Sequence, residues 1–268
     1  MSFFLIFALI GGALASTAGG IIGSYVVIKR IVFISGSISH AVFGGLGLAL
    51  YLQRTFNLPW LSPLIGAFAF ALLSALLIGW ITLRFKERED TVIGALWASG
   101  MAIGVIFLSL TPGSTSEIFG FLFGNILWVN RGDIIMLVIV NAIIITSVLT
   151  LHRKLLAICF DEEQAKLQRV ATTPLYIFLL CLVAITTVLL IQIVGAILVI
   201  AMLCLPAAIA GRFTFHLPRM MLLASLLGIA FTGIGLGISY GLNWPPGATI
   251  ALTATVAYLF SLSIKKYA

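Results

Sequence analysis

The chain has 268 residues, of which 62% are hydrophobic and only 9% charged, with a formal net charge of +7 and a mean hydropathy of +1.22. A soluble domain carries about 45–50% apolar and about 25% charged residues, so the apolar surplus must face lipid and a soluble globular protein is excluded. The 15 basic residues fall between long apolar runs and not on one soluble face, which excludes a nucleic-acid-binding surface and makes them topology signals.

A helix needs about 20 apolar residues to cross a hydrocarbon core about 30 Å thick. Runs of about that length are predicted at 3–28, 31–52, 61–83, 92–111, 133–151, 174–193, 195–211, 220–242 and 248–264. No segment reads as a strand, and the count is roughly eight or nine spans. The first run lacks a basic n-region and is far longer than the apolar core of a signal peptide, so it is read as a mature spanning helix. Within it, Gly11, Ala15, Gly19 and Gly23 form one row and Gly12, Ser16, Gly20 and Ser24 another, two adjacent small-residue faces suited to close helix packing.

The second run carries His40, about ten residues in and so roughly 15 Å from the nearer membrane face. Gly36, Gly44 and Gly47 share its face at helical spacing, with Ser35 and Ser39 on the flank. The stripe points to a helix contact or a narrow cavity. An intramembrane ionisable group is a functional candidate, and a histidine hydrogen-bonded to a neighbouring helix is the competing reading; the residues alone leave both open. One imidazole does not hold a transition metal, which takes three or four ligands, but a twofold dimer brings two copies of His40 to a shared axis as a weak, exchangeable pair.

Further along, residues 118–129 are apolar but too short to span and contain Gly120, Gly124 and Asn125, as a re-entrant or broken segment would. Residues 155–170 begin apolar and then place Asp161, Glu162 and Glu163 in the first turn of a predicted short helix, with Lys166 and Arg169 toward its end. That charge order complements the helix dipole. The widely spaced Cys159, Cys181 and Cys204 offer neither a disulfide framework nor a thiolate metal cage and read as packing residues. Gly233, Gly237 and Gly241 suggest another packing face in the run at 220–242.

Placing Lys29, Arg30, Arg84, Lys86, Arg88, Arg153, Lys154, Lys166, Arg169, Arg212, Arg219, Lys265 and Lys266 on one side leaves only Arg54 and Arg131 on the other. The first side is then the cytoplasm, by the positive-inside rule. No phosphate-binding G-x-x-x-x-G-K-[ST], H-E-x-x-H or G-x-S-x-G motif occurs, so energy must come from a separate chain or a gradient.

Several stretches together resemble the ABC-3 permease family, the membrane subunits of bacterial binding-protein-dependent ABC transporters for zinc, manganese and iron. They are GSYVVIKRIVFISGSISHAVFGGLGLAL (23–50), DTVIGALWASGMAIGVIF (90–107), FGFLFGNIL (119–127), FDEEQAKLQRV (160–170), VGAILVIAMLCLPAAIA (194–210) and SYGLNWPPGATIAL (239–252), in family order along nearly the whole chain. The resemblance implies an all-α integral membrane protein of the bacterial inner membrane: a single transmembrane permease domain over 1–268, working as a homodimer. It implies a cytoplasmic ABC ATPase subunit below and an extracytoplasmic metal-binding protein docking from outside, where Arg54, Glu117 and Arg131 fall. The chain itself is then no enzyme and holds no permanent cofactor, its metal ion being cargo.

Residue by residue, Ser39, His40 and Ala41 match the family's S-H-A, which makes His40 a pathway ligand and Gly36, Ser39, Gly44 and Gly47 its companions along the path. Many relatives place an aspartate where this chain has Gly36, so the hard oxygen ligand is missing. Phe160, Asp161, Glu162, Glu163 and Ala165 match the coupling helix that fits a groove on the ATPase, while the glycine usual near its end is Arg169. Pro206 matches an L-P-A-A element and is expected to break or kink its helix.

Two other classes compete. A permease for a metal chelate such as a siderophore or cobalamin usually has a longer chain. A gradient-driven secondary transporter needs carboxylates inside its spans, and here the acidic residues lie at or outside span ends.

Overall fold

The computed structural model describes residues 2–85, 89–113, 116–124, 126–196 and 199–263. The predicted Lys86, Arg88, Asn125, Lys265 and Lys266 lie outside them. The described chain is helical throughout: α1 Ser2–Lys29, α2 Val32–Thr55, α3 Pro63–Phe85, α4 Glu89–Leu110, α5 Ser116–Phe123, α6 Arg131–Phe160, α7 Glu162–Leu167, α8 Thr172–Val194, α9 Val199–Phe213, α10 Leu217–Leu242 and α11 Pro246–Leu262, with one 3-10 turn at Ile126–Trp128. Seven of these, α1, α2, α3, α4, α6, α8 and α10, are long and apolar enough to cross a membrane, and α9 and α11 are shorter apolar helices.

Burial separates the spans by role. In α2 and α8, 78% and 72% of the apolar window is covered by protein, against 22% in α4 and α6, which turn most of their side chains outward. Outward-facing Val105, Ile106, Ile135, Ile139 and Leu149 find an apolar solvent only in lipid. At 30 residues, α6 is about 45 Å long and outruns the roughly 30 Å core.

The chain forms two compact units. The first comprises Met1–Val32, Phe121–Arg153 and Leu189–Ala268, and α1 packs in it against α9 and α10, with α11 on the other side of that pair. The two small-residue rows of α1 meet different neighbours. Gly12, Ser16 and Gly20 lie against Thr232, Gly228 and Ser225 of α10, and Gly19 and Gly23 lie against Met202 and Leu203 of α9. The Ser16 and Thr232 hydroxyls share a hydrogen bond of 3.2 Å. Asn141 of α6 donates to the Leu14 carbonyl of α1 at 3.1 Å, an inter-helix bond of the kind worth about 0.6–2 kcal/mol in a membrane.

Other expectations are corrected in this unit. Gly233, Gly237 and Gly241 have no atom near enough to make them a packing face among the described residues; the glycines of α10 that do pack are Gly228 and Gly235, on the Thr232 side of the helix. Pro206 is enclosed within a continuous α9. The helix break lies earlier, at Gly195 (φ 97°), inside the run predicted to start at 195, and the described part of α9 begins at Val199.

The broken segment at 118–129 explains that position. Helix α5 ends at Gly124 (φ 82°), and the two glycine backbones press on one another: a Cβ on Gly195 would come 2.5 Å from the Leu122 carbonyl oxygen. The Ala196 N–H donates to the Phe121 carbonyl at 2.9 Å, so each interrupted helix satisfies part of the other's freed backbone.

The second unit comprises Phe33–Gly120 and Lys154–Val188. Gly45 of α2 meets Gly66 of α3, and Gly44 and Gly47 of α2 meet Gly100 and Gly104 of α4, backbone to backbone. The Ser37 hydroxyl adds a bond to the Ile93 carbonyl of α4 at 3.0 Å.

Candidate functional site

The α2 stripe resolves into a helix contact with one side chain left over. A Cβ on Gly44 would lie 2.8 Å from the Gly100 carbonyl oxygen, and one on Gly47 2.7 Å from that of Gly104. Gly36 and Ser39 are buried, and the Ser39 hydroxyl donates to the Gly36 carbonyl at 2.8 Å. His40 is only half-buried. Its ring stacks on the Trp97 indole of α4 with centroids 4.2 Å apart and planes 16° from parallel. Neither ring nitrogen makes a hydrogen bond among the described residues. Stacking engages a ring face and leaves the in-plane lone pair, the part that binds a metal, without a protein partner. The other histidines are placed elsewhere: His152 Nδ1 pairs with the Tyr25 hydroxyl at 3.1 Å, and His216 is the exposed residue preceding α10.

Trp97 is the residue that sequence reasoning missed. The signal beside it was legible, since Gly100 and Gly104 stand at the small-x-x-x-small spacing of a close helix contact. Among the described residues no cluster of three or more His, Cys, Asp or Glu side chains could hold a metal ion.

The segment after α6 folds as its charges require. Asp161 caps α7, its carboxylate accepting from the Gln164 N–H at 2.9 Å, and Glu162 pairs with Lys166 at 3.1 Å. Ala165 is buried, while Phe160 and Leu167 are exposed and Glu163 projects to solvent. The helix ends in a paired C-terminal motif: Arg169 N–H bonds the Lys166 carbonyl and Val170 N–H the Ala165 carbonyl, both at 3.0 Å. Arg169 occupies the left-handed position of that motif at φ 59°. Glycine takes this conformation freely, whereas a residue with a Cβ gives up about 1–2 kcal/mol there. Arg169 and Lys154 line a cavity of about 520 Å³ with Gln168, Val170, Ala171, Pro174 and Leu175.

At the sides predicted to face outward, Arg54 donates to the Pro112 carbonyl at 3.1 Å and so ties the end of α2 to the chain after α4. Arg131 opens α6 and is exposed, next to a reciprocal cap in which the Asn130 N–H bonds Asp133 and the Asp133 N–H bonds Asn130. The Glu117 side chain lies outside the described positions.

The model of the ABC 3 transport family matches residues 1–265. A probable metal transport system membrane protein of Chlamydia trachomatis is 46% identical over 94% of this chain and 86% of its own. The manganese transport system membrane protein MntC of Listeria monocytogenes is 34% identical over 96% of this chain and 89% of its own. Among solved structures, PsaBC from Streptococcus pneumoniae in complex with Fab superposes with a TM-score of 0.85 at 32% identity, covering 98% of this chain and 92% of that one.

Proposed function

Because the chain belongs to the ABC 3 transport family, we propose that it is the permease subunit of a binding-protein-dependent importer of a divalent transition metal, in the bacterial inner membrane. The class comprises zinc, iron and manganese, the last named for the Listeria relative. ATP is hydrolysed on a separate cytoplasmic ABC ATPase, docked on α7 through Phe160, Asp161, Glu162, Glu163, Ala165 and Arg169. A metal-binding protein delivers the ion from outside to the face bearing Arg54, Glu117 and Arg131.

The observation that supports the pathway is the half-buried His40 imidazole, stacked on Trp97 with its nitrogens unbonded. Two such rings across a homodimer give a metal a pair of ligands strong enough to admit it and weak enough to release it. With Gly36 in place of a carboxylate, imidazole nitrogen supplies the affinity, which favours borderline cations over hard ones. Gly44 and Gly47 serve that path by holding α2 and α4 close enough for the stack, and Gly36 and Ser39 lie buried on the same helix beside it. Gradient coupling is disfavoured because the acidic residues stand at helix ends, such as Asp133 in the first turn of α6.

The test is cellular metal content in a strain lacking the gene, grown with a chelator and measured by elemental mass spectrometry. One of manganese, zinc or iron should fall, and the wild-type gene should restore it; no change in any of them refutes the proposal.

A further inference from the structure

The cavity beside the coupling helix brings Arg169 of the docking set together with Lys154, a cation that ATPase docking does not use. Lys154 and Arg169 border it and, among the described residues, no acidic side chain does, while Val170, Ala171, Pro174 and Leu175 provide an apolar floor. Of the acidic residues of this segment, Glu162 pairs with Lys166, Asp161 caps the backbone of α7 and Glu163 projects to solvent. Neither Lys154 nor Arg169 forms an ion pair among the described residues. The floor includes Pro174 and Leu175 of the first turn of the 23-residue α8, the positive end of that helix's dipole. Arg169 also keeps a guanidinium at a left-handed position, φ 59°, where glycine is easier to accommodate.

We propose that this cavity binds the phosphate headgroup of an anionic phospholipid of the cytoplasmic leaflet. Its volume of about 520 Å³ accommodates a phosphodiester with its glycerol. Charge alone would suit a carboxylate of a protein partner equally well. The apolar floor decides for a lipid, because it continues into α8, a helix long and apolar enough to cross the membrane. The two cations face the phosphate, and Arg169 offers a planar fork of donors matched to its oxygens. The bound lipid then links the end of α7 to the start of α8, so the coupling segment is held to the bilayer as well as to its own chain.

The experiment uses the full-length chain in nanodiscs of phosphatidylcholine mixed equally with phosphatidylglycerol, with retained lipid counted by native mass spectrometry. A basic residue near the membrane surface is worth about 5-fold in affinity for an anionic lipid, so the wild type should retain phosphatidylglycerol preferentially by about 25-fold. R169G and K154Q should each lower this about 5-fold, and the double variant should show no preference. R169G suits its backbone position, and gel filtration verifies that both variants remain folded. Undiminished preference in both single variants overturns the proposal. So does an absence of preference in the wild type, whether inorganic phosphate alone protects the protein from heat through Arg169, which makes the site one for a free anion, or the variants lose only a co-purifying ATPase, which makes it one for a protein carboxylate.

Discussion

Adding one methyl group to α4 at two positions should have opposite consequences. At Gly100 a Cβ would sit 2.5 Å from the Ala41 Cα, 3.0 Å from the Ala41 nitrogen and 3.1 Å from the His40 carbonyl oxygen. Carbon atoms rest about 3.5–4.0 Å apart, so the deficit is about 1 Å, and it falls on backbone atoms that no rotamer change can move. Helices α2 and α4 must separate, at the cost of about 1–3 kcal/mol typical of overpacking. At Gly94 no atom beyond its own stretch of helix lies within 4 Å of the added Cβ among the described residues, and alanine gains about 0.5–1 kcal/mol by stiffening the helix backbone. The two variants should therefore differ by about 1.5–4 kcal/mol. Equilibrium unfolding in mixed detergent micelles, followed by circular dichroism, measures the difference. Gly100→Ala should also reduce metal uptake, because the separation carries Trp97 away from His40. Equal stability of the two variants would refute the claim that backbone contact between α2 and α4 places the imidazole.

Five other outcomes follow from the same account. Cysteines substituted at Arg54 and Arg131 should react with an impermeant thiol reagent in intact cells while those at 161–169 stay unlabelled; labelling of the latter reverses the orientation. Changing Asp161 and Glu162 together to Lys should weaken ATPase co-purification and transport without preventing membrane insertion, and unchanged values would reduce α7 to a connector. His40→Ala should abolish most metal uptake with assembly intact, and Gly36→Asp should shift the preferred metal toward harder cations. In the wild type the His40-dependent part should decline on acidification, because protonation occupies the lone pair that binds metal; uptake by His40→Ala at the wild-type rate marks a packing histidine.

What could be read from the residues was set by short-range rules. The spans were visible because a bilayer demands long apolar runs, and α7 because Asp161, Glu162 and Lys166 follow the charge preference of a helix over a few residues. The α1 rows were legible for the same reason, as every fourth residue shares a face. Identity of the contacting partner was not. Gly36, Gly44 and Gly47 form one stripe in sequence, but which neighbour covers it depends on Gly100 and Gly104, some 60 residues away. Trp97 looked like one more apolar residue of the run at 92–111, and only the fold sets its indole against His40. Likewise Gly124 was suspected as a break, whereas its counterpart Gly195 lay at the head of a run that looked continuous, since the need for φ 97° arises from contact with Gly124.

The most direct test of a permease driven from a separate ATPase is uptake into proteoliposomes holding this chain with and without the ATPase chain, the metal-binding protein being supplied outside and ATP inside. The account predicts accumulation of a divalent metal only with both chains and ATP, unaffected by a protonophore. Accumulation by this chain alone, driven by an ion gradient and abolished by the protonophore, would contradict it.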